Sequence, residues 1–349
     1  MDITKVVFTI IMLFSLMIPG YILRKKRMLF GDSSLSGLVN LLLYVCQPIL
    51  SVRSFALAKD IDPYDTNLLA NMGWVFLFAL IGQFAVYGLG KLIFKHLPIK
   101  PPPVNGVAGA SLSTIPPEKL ADKKRGIYTY AATFSNSAFI GIPFVEMIAP
   151  AEFKAQAVIY ATVYVVVFNM LVWTIGVHAL TGDIKSIKLH KAIINPAVLG
   201  TLVGLLFFYV PQINFFAKVE PFDKFLNLFA DMNAPISMVI IGSRFADIRI
   251  RDLFTDASLY ITAALRLIVA PALLFVILLP FVLTNYFGEL RNAWVILVPI
   301  VLLGVPPAAS MIAMAEKFDA DIYTAVKGFL TGTLLSLIAL PALLWLLTM

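Results

Sequence analysis

The residues of this sequence that could do chemistry mostly stand inside apolar runs, where water cannot serve them. Asn136 lies in "IYTYAATFSNSAFIGIPFVEMIA" together with Gly141 and Pro143, and Gly304, Pro306 and Pro307 lie in "VLLGVPPAAS". Ser51 closes "QPILS", Asn40 stands in "LVNLLL", and Asp231 and Arg266 are single charges among apolar neighbours. No HExxH, no GxSxG and no pair of catalytic aspartates is present, which argues against an intramembrane enzyme. His96, His178 and His190 lack metal-ligand spacing, and the lone Cys46 has no partner for an internal disulfide, so neither metal nor cofactor is expected. What such groups can do in hydrocarbon is bind. An amide offers a neutral hydrogen bond, a proline frees a carbonyl one turn back, and a broken helix exposes an N-terminal end that favours an anion.

The elements that must position them are membrane helices. The chain has 349 residues, is 60% hydrophobic and only 13% charged, and has a mean hydropathy of +0.90. Soluble domains are about 45–50% apolar and about 25% charged. Spans of roughly 20 residues fit about ten places: 4–23, 34–57, 68–95, 127–149, 155–180, 192–210, 223–246, 257–284, 293–315 and 320–347. The first run is followed by "RKKR" rather than preceded by basic residues, so it reads as a retained span and not a cleaved leader. Lysines and arginines gather after the first, third, fifth, seventh and ninth spans, which places those loops in the cytoplasm and both termini outside the cell (plasma or inner) membrane. The net charge of +7 is therefore read as topology and not as a nucleic-acid surface. The proline-rich stretch 96–126 reads as a long cytoplasmic loop.

The second half repeats the first. "LVNLLLYVCQPI" (38–49) resembles "FLNLFADMNAPI" (225–236), and "IYATV" (159–163) resembles "IYTAV" (322–326). The offset of the second pair lays Pro143 onto Pro306. Five spans per repeat place the halves, 1–180 and 181–349, in opposite orientations within one membrane domain. Inverted repeats with interrupted helices at matching places are the pattern of a secondary transporter whose site lies where the broken helices meet.

The intramembrane charges need a reason, since each costs about 2.5–3.5 kcal/mol at the membrane centre. Asp231 and Arg266 both fall roughly 13 Å into their spans at 1.5 Å per residue. They can form a buried ion pair, or one of them can contact a coupling ion or the substrate. Glu146 is expected in an outer vestibule and Lys327 is expected to snorkel. Asn40 and Asn227, at repeat-equivalent places, suit contacts between helices, with a site role for Asn40 as the second reading.

At "NSAFIGIPFV", "INPAVLGTLVGLL", "ADMNAPISMVIIG", "RLIVAP", "GVPPAASMIAMAEKF" and "SLIALP" the chain resembles the auxin efflux carrier family, which includes plant PIN-type carriers and bacterial malate and malonate permease-like proteins. The resemblance implies an all-α membrane protein of ten helices in an inverted five-plus-five repeat. Two broken crossover helices and a scaffold part that moves against a transport part complete it, as in bile-acid carriers and sodium/proton antiporters. It places the crossover prolines at Pro143 and at Pro306 or Pro307, the helix-four asparagine at Asn136, and a polar helix-two residue at Ser51. The short "TGDIKSIKLHK" connection differs from the long regulatory loop of many plant members and points to a prokaryotic-type carrier of small organic anions, carboxylates such as a dicarboxylate or an auxin-like acid. A proton or sodium ion is the expected coupling ion, and a homodimer is compatible with the fold. The competing readings are an ion antiporter on the same architecture and a membrane sensor that binds without transporting.

Overall fold

The computed structural model describes residues 8, 11–12, 14–29, 31–58, 61–99, 117–288 and 290–348. Among these the chain is helical, with no strand. In order come α1 (Met17–Lys25), α2 (Leu35–Ala56), α3 (Thr66–His96), α4 (Pro117–Thr133), α5 (Ser137–Ile148) and α6 (Lys154–Thr181). They are followed by α7 (Pro196–Tyr209), α8 (Pro221–Asp247), α9 (Ala257–Leu283), α10 (Leu290–Gly304), α11 (Ser310–Lys317) and α12 (Ile322–Thr348). Six of these, α2, α3, α6, α8, α9 and α12, are long and apolar enough to cross a membrane, and α5, α7 and part of α10 are shorter apolar helices.

Helix packing sorts them into two groups. In the first, α1 lies along α8 and α2 lies along α7; in the second, α3 gathers α4, α6 and α10, with α9 and α12 closing around them. The first group packs through small residues. A Cβ at Gly20 would overlap the carbonyl of Val239, and one at Gly242 would overlap that of Met17, so α1 and α8 approach backbone to backbone. Gly200 does the same for α7 against Pro48 of α2. Regular helix is interrupted just before Pro48, by a π-turn at Leu42–Cys46, and just before Pro235, at Met232. These are the two prolines that the expected repeat lays onto each other.

The expected broken helix at 127–149 appears as α4 and α5, but α4 begins earlier, at Pro117. Residues 117–126 of the presumed loop are therefore helical, with a proline at the helix start and Glu118 in the first turn, both favourable there. Residues 100–116 of that loop lie outside the described residues, as do the first residues of the expected first span. The expected span 293–315 appears as α10 and α11 with an unwound break between them.

Candidate substrate site at the crossing of two broken helices

The two breaks meet. Between α4 and α5 the chain unwinds at Phe134–Asn136, and between α10 and α11 at Val305–Ala309. There the two stretches pair as a single antiparallel β-bridge between Ser135 and Pro307. Asn136 N donates to Pro306 O at 2.7 Å and Ala308 N donates to Phe134 O at 2.8 Å. Every residue from 134 to 138 and from 305 to 308 is buried. Unpaired backbone at membrane depth costs several kcal/mol per group, and this bridge removes that cost for the turn of chain that is neither helix nor sheet.

The prolines decide which carbonyls remain. Pro306 and Pro307 have no N–H, so Leu302 O and Leu303 O, one turn back, lose their helical donors. Arg266 takes them both. Its guanidinium is fully buried and sits in a π-turn of α9, Leu265–Val269. Nε donates to Val305 O at 3.1 Å; Nη1 donates to Ala132 O at 3.0 Å and Thr133 O at 2.7 Å; Nη2 donates to Leu302 O at 3.4 Å and to Leu303 O. A guanidinium has five N–H groups, and all five are used. One cation thus caps the C-terminal ends of α4 and α10, where the helix dipoles are negative.

The opposite ends are left differently. Asn136 stands at the N-cap of α5, where an asparagine normally spends its side chain on the first-turn amides. Here it makes no such bond, and among the described residues its buried Nδ2 has no partner; the hydroxyls of Ser135 and Ser137 are equally buried and unpaired there. α5 opens with a π-turn, Ser137–Gly141, in which Ile142 N reaches back to Ser137 O. In that register the donor for Ala138 O would be residue 143, which is proline. The carbonyl turns instead to α8, where Asn233 Nδ2 donates to it at 3.2 Å. Asn233 is itself fully buried, and its Oδ1 has no partner. Beside it, Ser237 Oγ lies 3.5 Å from Phe139 O while donating to Ala234 O at 2.8 Å. On the α3 and α6 side the hydroxyl of Tyr164 faces Arg266, Ser135 and Gln83, and both amide atoms of Gln83 are buried without a hydrogen bond. Among the described residues, buried polar groups without a hydrogen bond thus stand at the bridge, on α8 and beside Arg266.

Residues 180–344 match the family described as membrane transport protein. Over these residues, somewhat under half of the chain, the sequence is similar to that family of membrane transport proteins. No curated protein matches it. With its six long apolar helices the protein is an integral, multi-pass membrane protein. The matched stretch holds Asn233, Arg266, Gly304, Pro306 and Pro307; Asn136 and α5 precede it.

The bridge, then, joins Asn136, Pro306 and Pro307. Pro143 lies beyond the break, in the first turn of the helix Ile142–Ile148, and acts by freeing Ala138 O rather than by breaking the helix. Gly141 and Gly304 are small for packing: a Cβ on either would overlap a leucine, Leu302 or Leu343 respectively. The expected pairing of Asp231 with Arg266 does not occur. Asp231 points outward with 68% of its side chain exposed, 3.8 Å from Arg53, because helix azimuth and not depth decides who meets whom. Arg53 also bonds Asn227 Oδ1 at 2.7 Å and Glu146 at 3.2 Å, which ties α2 and α8 to α5. Ser51 is buried against Gly204 of α7, and Asn40 is exposed; no hydrogen bond brings either to the bridge among the described residues. Lys327 does not snorkel: it is buried and donates to Thr255 Oγ1 at 2.9 Å. Asn233, Ser135, Ser137, Gln83 and Tyr164 were not singled out from sequence. Their signal, a polar residue in an apolar run, is shared with many side chains that merely cap their own helix, such as Thr133 and Thr162.

Two cavities lie elsewhere. One, of about 1140 Å³, is an apolar groove walled by α9, α10 and α12. The other, of about 340 Å³, lies at the ends of α3, α4 and α6 and is lined by Lys91, Lys95, Arg125 and His178. Neither includes the polar groups at the bridge.

Proposed function

We propose that this chain is a secondary transporter that moves a small organic anion, a carboxylate such as a dicarboxylate, by alternating access at the crossing. The observation that carries the reading is an electrical asymmetry. The negative ends of α4 and α10 are closed by Arg266, whereas the ends that open α5 and α11 have no carboxylate bonded to them among the described residues. Asn136 Nδ2 and the hydroxyls of Ser135 and Ser137 stand there unpartnered. Such a place suits a negatively charged ligand that accepts hydrogen bonds. The antiporter reading needs an acidic pair at the crossing, and the two acids singled out from sequence, Glu146 and Asp231, both serve Arg53.

The surrounding architecture suits this mechanism. The group of α1, α2, α7 and α8 would be the scaffold and the remainder the moving part, each drawn from both five-span repeats. Contacts between ends also fit ten crossings with both termini outside. Arg24, in the last turn of α1, pairs with Asp247, the last residue of α8, at 2.7 Å, and Asn214, after α7, donates to Ala56 O, at the end of α2. The test is uptake and thermal-shift binding in proteoliposomes or detergent with malonate, malate and their amides. Wild type should take up the acids and reject the amides. Asn136→Asp, which puts a negative charge where the ligand's must sit, should abolish uptake, and Asn136→Ala should weaken it less. Equal handling of acid and amide, or undiminished acid binding by the Asp variant, would sink the proposal.

A further inference from the structure

Carriers with broken helices use unwound carbonyls and the C-terminal ends of half-helices to hold a coupling sodium ion. This chain assembles such a set of oxygens. Ala132 O and Thr133 O end α4, Leu302 O and Leu303 O lie in the last turn of α10, and Val305 O follows it. Two of the five are acceptors only because Pro306 and Pro307 lack N–H groups. All five point at one place, and that place is filled by a side chain.

We infer that the guanidinium of Arg266 is a built-in substitute for the coupling metal cation, so that ligand binding and transport at this crossing are independent of sodium. The inference rests on the crossing being the transport site. Three features argue for it beyond a simple helix cap. First, the residue is arginine, whose charge cannot be removed by deprotonation in a protein, so the position is held permanently by a cation. Second, among the described residues no carboxylate is bonded to it, and Asp231, the candidate from sequence, is turned to Arg53. A capping role could be met by a neutral donor; an unneutralised charge at 0% exposure has to be stabilised by the dipoles of both half-helices together. Third, all five donors are committed to backbone, leaving none to grip a ligand or to exchange for an ion. The net positive charge nonetheless remains beside Ser135, next to the unpartnered Asn136, and so adds to the preference for an anion.

The test separates this inference from the proposed function by reading stability as well as transport. Wild type is melted in sodium chloride and in choline chloride of equal ionic strength, and its melting temperature should be the same in both. Arg266→Ala leaves five carbonyls around an empty place and should lose on the order of 10 °C. Guanidinium ion at low, non-denaturing concentration or sodium should restore part of that loss, whereas choline should not. If Arg266→Ala does not fold, Arg266→Lys is used: its ammonium keeps the charge with three donors, and it should melt below wild type and remain insensitive to sodium. Stabilisation of wild type by sodium over choline would overturn the inference, as would a folded Arg266→Ala that no small cation stabilises. Malonate uptake at equal rates in the two salts would agree with it, and sodium-dependent uptake would overturn it. An absence of malonate uptake in either salt would count against the proposed substrate class and leave the melting result to decide the role of Arg266.

Discussion

If Pro143 acts by withholding a donor, its effect and that of Asn233 must be coupled. Ala138 O is buried in the π-turn, cannot be met by residue 143, and depends on Asn233 Nδ2 at 3.2 Å. Asn233→Leu keeps the branched shape and removes that donor. Stranding a buried carbonyl costs about 1–3 kcal/mol. Some of this is returned because the unpartnered Oδ1 of Asn233 disappears as well, so a net loss of about 1–2 kcal/mol is expected. At roughly 2–4 °C per kcal/mol for a larger domain, the melting temperature should fall by roughly 2–8 °C. Pro143→Ala alone should be mild, because Ala138 O is already bonded and a second donor adds little. The double variant is the informative one. An N–H at position 143 lies in π register with Ala138 O and can replace the lost side-chain donor, so the double variant should melt above the sum of the singles by about 1 kcal/mol. The assay is thermal unfolding of the four purified proteins in one detergent. Strict additivity would refute the argument that Pro143 and Asn233 share one carbonyl, and Pro143 would then be a plain bend.

Two further outcomes follow from the geometry. In a Cys46→Ala background, a cysteine replacing the exposed Asn67 should be labelled by an impermeant maleimide from outside, and one replacing the exposed Lys188 only from the cytoplasm; the reverse pattern would overturn the orientation. At the start of α9, burial pushes the Asp256 carboxyl up, but hydrogen bonds from Lys124 at 2.8 Å and Tyr128 at 2.6 Å outweigh it and hold the group below its usual range. A depressed folded-state value means that its contribution is present above the ordinary carboxylate pKa of about 3.9 and is lost as pH falls through the lower folded one. Asp256→Asn should therefore lower the melting temperature at neutral pH and flatten its dependence on pH in the acid range, checked by melting curves across pH.

What this sequence determined by itself follows from local properties. Hydropathy averaged over a span marks it as a membrane chain, because the cost of burying polar groups in hydrocarbon adds up residue by residue. That it breaks at Pro306–Pro307 is also local: a proline lacks its N–H whatever surrounds it. The family resemblance rests on short motifs of the same kind. The partners of those groups were not legible. Arg266 and Asp231 have similar depth on paper, yet one is buried among carbonyls as many as 134 residues away in sequence, and the other points outward beside Arg53. Depth can be counted along a helix, but the direction in which a side chain leaves it depends on packing, and the π-turn at Leu265–Val269 changes that direction for Arg266. The role of Asn233 was hidden for the same reason, since it answers a carbonyl freed by Pro143, 90 positions earlier in the sequence. The glycine contacts that bring α1 onto α8 follow the same rule. The sequence states which groups lack a partner, and only the tertiary structure supplies one, because hydrogen bonds and van der Waals contacts act over a few ångströms between residues that the chain itself keeps far apart.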